Sequence, residues 1–210
     1  MIGYDFNENY QYMLMELLGE SFSNILKNKK QLDLPYVLKI GHQVVQRLKV
    51  FHNQGYVHND IKPANVMTST KNDTIYLIDY GLSVYLGSGS TLSGNIVGSP
   101  HFMAIDAHTR KMSFKNDMES LAYMLIYLLE GSLPWTKVKY SNLDRNCYLE
   151  KLLMMKREAY KDLAMTLPEK LRTFLKYTRE MKDNEKPNYD FICGIFVSND
   201  GSPKNKRQRI

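Results

Sequence analysis

Eight consecutive residues, His58-Asn59-Asp60-Ile61-Lys62-Pro63-Ala64-Asn65, and the later trio Asp79-Tyr80-Gly81 carry the densest chemistry in this chain. Moving a phosphoryl group onto a hydroxyl needs a carboxylate near the attacking oxygen and a cation beside the transferring phosphate. It also needs oxygen ligands that hold Mg²⁺ against the phosphate chain. Asp60, Lys62, Asn65 and Asp79 supply those four groups in that order. Taken singly, each has an ordinary alternative: Asn65 as a turn former, Asp79 as a strand-end cap, Lys62 as a solvated loop charge. Their setting argues for the joint reading. An amphipathic helix pattern stopped by Gly55 precedes the string, and the apolar run Ile75-Tyr76-Leu77-Ile78 reads as a strand that delivers Asp79 at its end.

The elements that must position these residues are legible as patterns. Tyr10 to Glu16 alternates and is rich in Tyr and Met, which reads as a strand leading into a connector at Leu17-Leu18-Gly19. A short helix around Phe22 to Leu26 follows. Asp33-Leu34-Pro35 is a helix-start signal, and Val37, Gly41, Val44, Leu48 and Phe51 recur at helical spacing until Gly55. The stretch Asp117 to Glu130 is apolar nearly all round, so it predicts a helix buried on every side. Asp117 at its start is costly to bury unless paired. Thr166-Leu167-Pro168-Glu169 reads as a capping box with proline in the first turn, opening a helix whose Leu171, Phe174 and Leu175 face inward.

With 210 residues, 43% of them hydrophobic, the chain can bury one substantial core as a single domain, and is neither disordered nor fibrous. No apolar run reaches the roughly 18 residues that span a bilayer, and no charged-then-apolar leader is present. The expectation is a soluble protein of cytoplasm, nucleus or both, with no membrane partner. Cys147 and Cys193 lack Cys-x-x-Cys or Cys/His spacing and read as packing residues. The net charge of +6 comes from scattered lysines without a nucleic-acid motif, so a nucleic-acid partner is not expected. The one basic cluster, Lys204-Asn205-Lys206-Arg207-Gln208-Arg209, reads as a disordered, solvated terminus, with nuclear import or docking of an acidic partner as the alternatives.

The string with its following Asp-Tyr-Gly resembles the large, C-terminal lobe of a protein kinase. Met15-Glu16-Leu17-Leu18-Gly19, the run from Ser99 to His108, Asp117-Met118-Glu119-Ser120-Leu121, Gly131-Ser132-Leu133-Pro134-Trp135 and Lys186-Pro187-Asn188-Tyr189 are similar to the casein kinase 1 group of serine/threonine kinases. Ile105-Asp106-Ala107-His108 is similar to that group's vaccinia-related branch. The resemblance implies an α+β, protein kinase-like fold: a mainly α-helical large lobe with a hinge strand and small β elements, and a small lobe largely absent. Residues 1–19 would be the last strands of the small lobe and the hinge, 20–197 the large lobe, and 198–210 a basic tail. It further implies transfer of the γ-phosphoryl group of ATP to protein Ser/Thr hydroxyls, with Mg²⁺ as cofactor. In that scheme Asp60 is the catalytic base or orients the substrate hydroxyl, and Lys62 neutralises the transferring phosphate, as in serine/threonine kinases. Asn65 and Asp79 hold Mg²⁺. Met15 guards the back of the ATP pocket, Glu16 and Leu18 belong to the adenine-gripping hinge, and Met67 forms its apolar floor. His58, Ser99 and Asp117 support the site: Asp117 by accepting backbone hydrogen bonds from the His58 loop, Ser99 by replacing the family's threonine between the catalytic Asp and Lys.

Several positions depart from that pattern. Asn59 stands at the usual arginine, so control by a phosphorylated activation segment is not expected. Val84, Tyr85, Gly94 and the pair Phe114-Lys115 replace basic residues, so a preference for primed or acidic substrates does not carry over. Tyr80 replaces a phenylalanine, and its phenol needs a partner if buried. Nothing before Tyr10 supplies a glycine-rich phosphate cover, a strand lysine or its glutamate partner. An exposed apolar upper surface is therefore expected, and a second reading stands beside the first: a catalytically inactive, kinase-derived binding or scaffold module.

Overall fold

The computed structural model describes residues 3–88, 95–138, 144–183 and 185–197; Gly94 and the basic tail lie outside the described residues. Its first elements form an antiparallel hairpin of β1 (Gly3–Phe6) and β2 (Gln11–Leu14), in register from Gly3 opposite Leu14 to Phe6 opposite Gln11. The Asn7 side chain ties the turn by accepting from the backbone N–H groups of Asn9 and Tyr10. Tyr4, Phe6, Tyr12, Met13 and Leu14 are all more than half exposed, the apolar surface anticipated above. The connector after β2 lies along a later strand. Gly19 N–H donates to the Thr68 carbonyl at 2.8 Å, and a Cβ at Gly19 would sit 2.4 Å from Thr68 Oγ1, so only glycine allows this approach.

Helix α1 (Phe22–Lys29) starts at Ser21, whose hydroxyl accepts from Asn24 N–H. Helix α2 (Leu34–Asn53) starts where its signal placed it. Asp33 caps the Tyr36 N–H at 2.8 Å, proline occupies the first turn, and Val37, Gly41, Val44 and Leu48 are buried. Gly55, at φ +84°, takes the left-handed conformation just past its end. Strands β3 (Tyr56–Val57), β4 (Val66–Thr68), β5 (Ile75–Leu77) and β6 (Val84–Tyr85) pair as two antiparallel ribbons, β3 with β6 and β4 with β5. These ribbons bracket the residues of the His58–Asn65 string.

Helix α3 (Phe114–Glu130) is the centre of the core and begins three residues before Asp117. Every residue from Asn116 to Ile126 is buried, whereas Tyr127 and Leu129 are only partly so. It packs against α2 and against α5 (Glu169–Glu180), with α4 (Arg145–Thr166) and α6 (Tyr189–Phe196) completing the layer. Gly41 permits the closest approach, since a Cβ there would meet Leu125 Cδ1 at 2.8 Å and the Phe196 ring at 3.1 Å. Among the described residues no helix is long and apolar enough to cross a membrane.

Two expectations need correction. No capping box forms at Thr166. Helix α4 runs through that residue, whose hydroxyl donates back to the Asp162 carbonyl, and α5 starts at Glu169 with Pro168 in the cap position and no side-chain cap. The inward set Leu171, Phe174 and Leu175 is nonetheless buried. Cys147 is exposed in the first turn of α4 and is not a packing residue, whereas Cys193 is half-buried against the core.

Candidate active site

Asp60 is buried, its side chain 4% exposed, and both carboxylate oxygens are fully engaged. Oδ1 accepts from the Ser99 hydroxyl at 2.8 Å and the Ser99 N–H at 3.1 Å. Oδ2 accepts from Lys62 Nζ at 2.6 Å and Asn65 Nδ2 at 3.0 Å. Lys62 Nζ also donates to Ser99 Oγ at 3.1 Å, so the hydroxyl bridges the lysine and the aspartate. Such a carboxylate is fixed in orientation by four donors from three residues, Lys62 and Asn65 in its own loop and Ser99 from a distant segment.

The loop carrying these groups is held from below by α3. Asp117, wholly buried, accepts the backbone N–H groups of His58 at 2.7 Å and Asn59 at 2.8 Å. His52, at the last turn of α2, donates Nε2–H to the same carboxylate at 2.8 Å, and the Tyr189 hydroxyl meets its Nδ1 at 2.8 Å. Burial and then the Asp117 charge raise the Tyr189 pKa. The sequence gives no cue for His52; its signal, a histidine on the inward face of an amphipathic helix, is shared with any satisfied core histidine. The His58 ring receives Asp60 N–H on Nδ1 at 3.3 Å and therefore donates Nε2–H to the Ile78 carbonyl at 3.1 Å. One imidazole thus ties the carboxylate's backbone to the residue before Asp79.

Asn65 ends a one-turn 3-10 helix, Pro63–Asn65, and its backbone carbonyl accepts from Ile78 N–H at 2.9 Å, which places Asp79 beside it at the end of the β4–β5 ribbon. The Asn65 amide faces two acceptors, the Asp60 carbonyl and carboxylate, so its NH₂ end is fixed there and Oδ1 remains as an outward acceptor. Asp79 is exposed and accepts from Gly81 N–H at 3.3 Å. Asn59 and Asp79 both take left-handed backbone, φ +66° and +64°, which their short polar side chains tolerate better than most. Among the described residues no group of three His, Cys, Asp or Glu side chains is close enough to hold a metal by itself. An amide oxygen beside one carboxylate suits Mg²⁺, which takes one or two protein oxygens and completes its shell with phosphate and water.

The remaining predicted residues lie on β4 and on the connector that follows β2. Met67 on β4 forms an isolated bridge with Ser21, so the connector containing Leu18 crosses beside it. Met15 is more than half exposed, and the Glu16 carboxylate pairs with Lys71 at 3.0 Å on the surface. Neither side chain touches the Asp60 group. Tyr80 has a partner after all: its hydroxyl donates to the Leu77 carbonyl at 3.0 Å, and its half-exposed ring packs on His58 and Phe51. Burial raises its pKa, against the opposing charge of Arg47. Gly98, at φ +105°, brings the segment before Ser99 so close to the loop that a Cβ would lie 2.6 Å from the Asn59 carbonyl oxygen.

Comparison with known proteins points in one direction. The protein kinase domain family matches residues 2–195. A probable serine/threonine-protein kinase of Dictyostelium discoideum is 34% identical over 200 residues, covering 89% of this chain and 39% of that protein. A probable casein kinase I homolog of Encephalitozoon cuniculi is 28% identical over 193 residues, covering 86% of this chain and 62% of the other. The chain therefore spans 39% and 62% of the lengths of these two relatives.

Proposed function

The chain belongs to the protein kinase domain family, and from that footing we propose that it is a serine/threonine protein kinase of the casein kinase 1 type, transferring the γ-phosphoryl group of ATP to protein hydroxyls. The observation that carries this reading is the Asp60 carboxylate, buried and aimed by Lys62 and Asn65 of its own loop and by Ser99 from a distant segment. A lysine two residues after the aspartate and a bridging hydroxyl at Ser99 support the serine/threonine class, and the similarity to a casein kinase I homolog supports the finer assignment. In this reading residues 1–19 are the end of a small lobe with its hinge, residues 20–197 are the large lobe, and adenine lies between Leu18 and Met67.

The geometry indicates how the residues would act. Of the four donors on Asp60, Lys62 has the flexible stem and the most exposed position, its side chain 25% accessible. Swinging Nζ toward the γ-phosphate frees Oδ2 for the incoming hydroxyl while Ser99 keeps Oδ1 fixed. The substrate oxygen then bonds to phosphorus as the bridging bond to ADP breaks, and the hydroxyl proton passes to Asp60. Asn65 Oδ1 and the Asp79 carboxylate would hold Mg²⁺, which when bound screens the phosphate charge. The test is transfer of labelled phosphate to casein by the 210-residue chain, with melting measured against Mg-ATP. Transfer that vanishes in Asp60→Asn while the nucleotide-dependent rise in Tm remains supports the proposal. Neither transfer nor shift at millimolar nucleotide, or an Asp60→Asn variant as active as the parent, overturns it.

A further inference from the structure

Lys156 sits in the middle of α4 and is fully buried, an environment that penalises an ammonium unless its donors are all used. They are used on one short segment. Nζ donates to the carbonyls of Pro100 and Met103, both at 2.7 Å, and meets His108 Nε2 at 3.1 Å. Around it stand the rings of Tyr123 and Trp135, whose centroids lie 5.5 and 5.7 Å away. A carboxylate completes the arrangement from α3: buried Glu119 accepts Ile105 N–H at 3.3 Å and the Tyr123 hydroxyl, and pairs with Arg179 Nε at 3.3 Å. The segment's carbonyls are thus held by a buried cation and one of its N–H groups by a buried anion. Trp135 Nε1–H adds the His101 carbonyl at 2.8 Å.

Two residues of this segment reach the site side, Ser99 just before the Lys156 anchors and Phe102 between them. Ser99, one residue before Pro100, bonds Asp60, and its carbonyl accepts both Phe102 and Met103 N–H groups, closing a tight turn. Phe102, between the anchored carbonyls, packs edge-on against Tyr127 at 5.4 Å. Together with Lys62, Pro63, Ala64 and Ser23 these two rings wall an open groove of about 110 Å³ beside Lys62. A phosphoacceptor peptide reaching Asp60 passes this wall.

We propose that Lys156 is a positioning residue for the phosphoacceptor peptide, fixing the Pro100 and Met103 carbonyls so that Phe102 stays in the groove wall and Ser99 on Asp60. The proposal rests on the kinase reading above. A purely structural lysine would cost stability alone when replaced; a positioning lysine separates the two substrates. The variants are Lys156→Met, Lys156→Arg and, as a destabilised control on the same helix, Leu163→Ala. Kinetics of peptide phosphorylation and hydrogen–deuterium exchange of residues 98–104 are measured on each. Lys156→Met is expected to lower kcat/KM for peptide about tenfold or more while KM for ATP stays within about twofold, with partial recovery in Lys156→Arg and no such split in Leu163→Ala. Exchange over 98–104 should quicken about tenfold in Lys156→Met beyond that in Leu163→Ala. Equal losses toward peptide and ATP, or exchange no faster than in the control, overturn it. If the parent chain transfers no phosphate, the kinase reading falls by itself, while the exchange comparison still decides whether Lys156 holds this segment.

Discussion

Ser99 touches Asp60 through both its backbone and its hydroxyl, and only the hydroxyl also reaches Lys62. Ser99→Ala therefore keeps one bond and loses the bridge. Hydrogen bonds to charged groups contribute about 1.5–3 kcal/mol. With about 1.4 kcal/mol per tenfold in rate, kcat should fall about 10- to 100-fold. KM for ATP should hardly move, Tm should fall by several degrees, and Ser99→Thr should stay active. A Ser99→Ala enzyme with unchanged kcat would show that the bridge is not used. Asp60, Lys62 and Asn65 could be read from the sequence because their mutual spacing within one loop is itself the constraint. Lys156 could not: one lysine among many scattered ones becomes special only when a distant turn directs two carbonyls at it. The acceptor for Tyr80 was hidden for a related reason, since a backbone carbonyl leaves no trace in a pattern of side chains.

At the level of elements, helix starts were legible where a side chain caps them and misread where two helices compete for one residue. Asp33 caps α2 as its letters suggest, while Asn188, not read as a cap from the sequence, caps α6 by accepting Phe191 N–H at 3.0 Å. Thr166 carries the capping letters too, but α4 extends through it, and a residue with helical backbone cannot cap the next helix. The two sites give opposite expectations. Asn188→Ala should cost about 1 kcal/mol, whereas Thr166→Ala, at an exposed last-turn position, should stay within about 0.5 kcal/mol. Urea unfolding of both variants measures the difference, and an equal loss would restore the capping role to Thr166. Helix α3 shows the other side of legibility. Its apolar circumference announced burial, and the acid near its start announced a partner. The family resemblance makes the His58 loop the expected partner, and its N–H groups at His58 and Asn59 take that place; the His52 imidazole, from α2, is a partner only the fold brings near.

For the molecule as a whole, the buried cluster under the groove wall sets a direction for stability against pH. Burial lowers the Lys156 pKa from 10.5 to about 7, with Glu119 opposing and Arg179 reinforcing the shift. Burial, then the charges of Lys156 and Arg157, lowers that of His108 from 6.5 to about 3. In both cases the unfolded chain holds the proton more tightly than the folded one, so stability rises with pH wherever the two states differ in protonation. For Lys156 that window runs from about 7 to 10.5: below it both states are charged, above it both are neutral, and the folded state gains as pH climbs between them. For His108 the window runs from about 3 to 6.5, and stability is lost as pH falls through it. Replacing Lys156 with Met should therefore flatten the rise in Tm between pH 7 and 10 relative to the parent, while His108→Gln should flatten the fall below pH 6.5 and leave the alkaline limb in place. Parallel Tm–pH curves for parent and Lys156→Met across the alkaline window would mean that the folded lysine titrates like a solvated one, its bonds to Pro100, Met103 and His108 offsetting the whole cost of burying an ammonium.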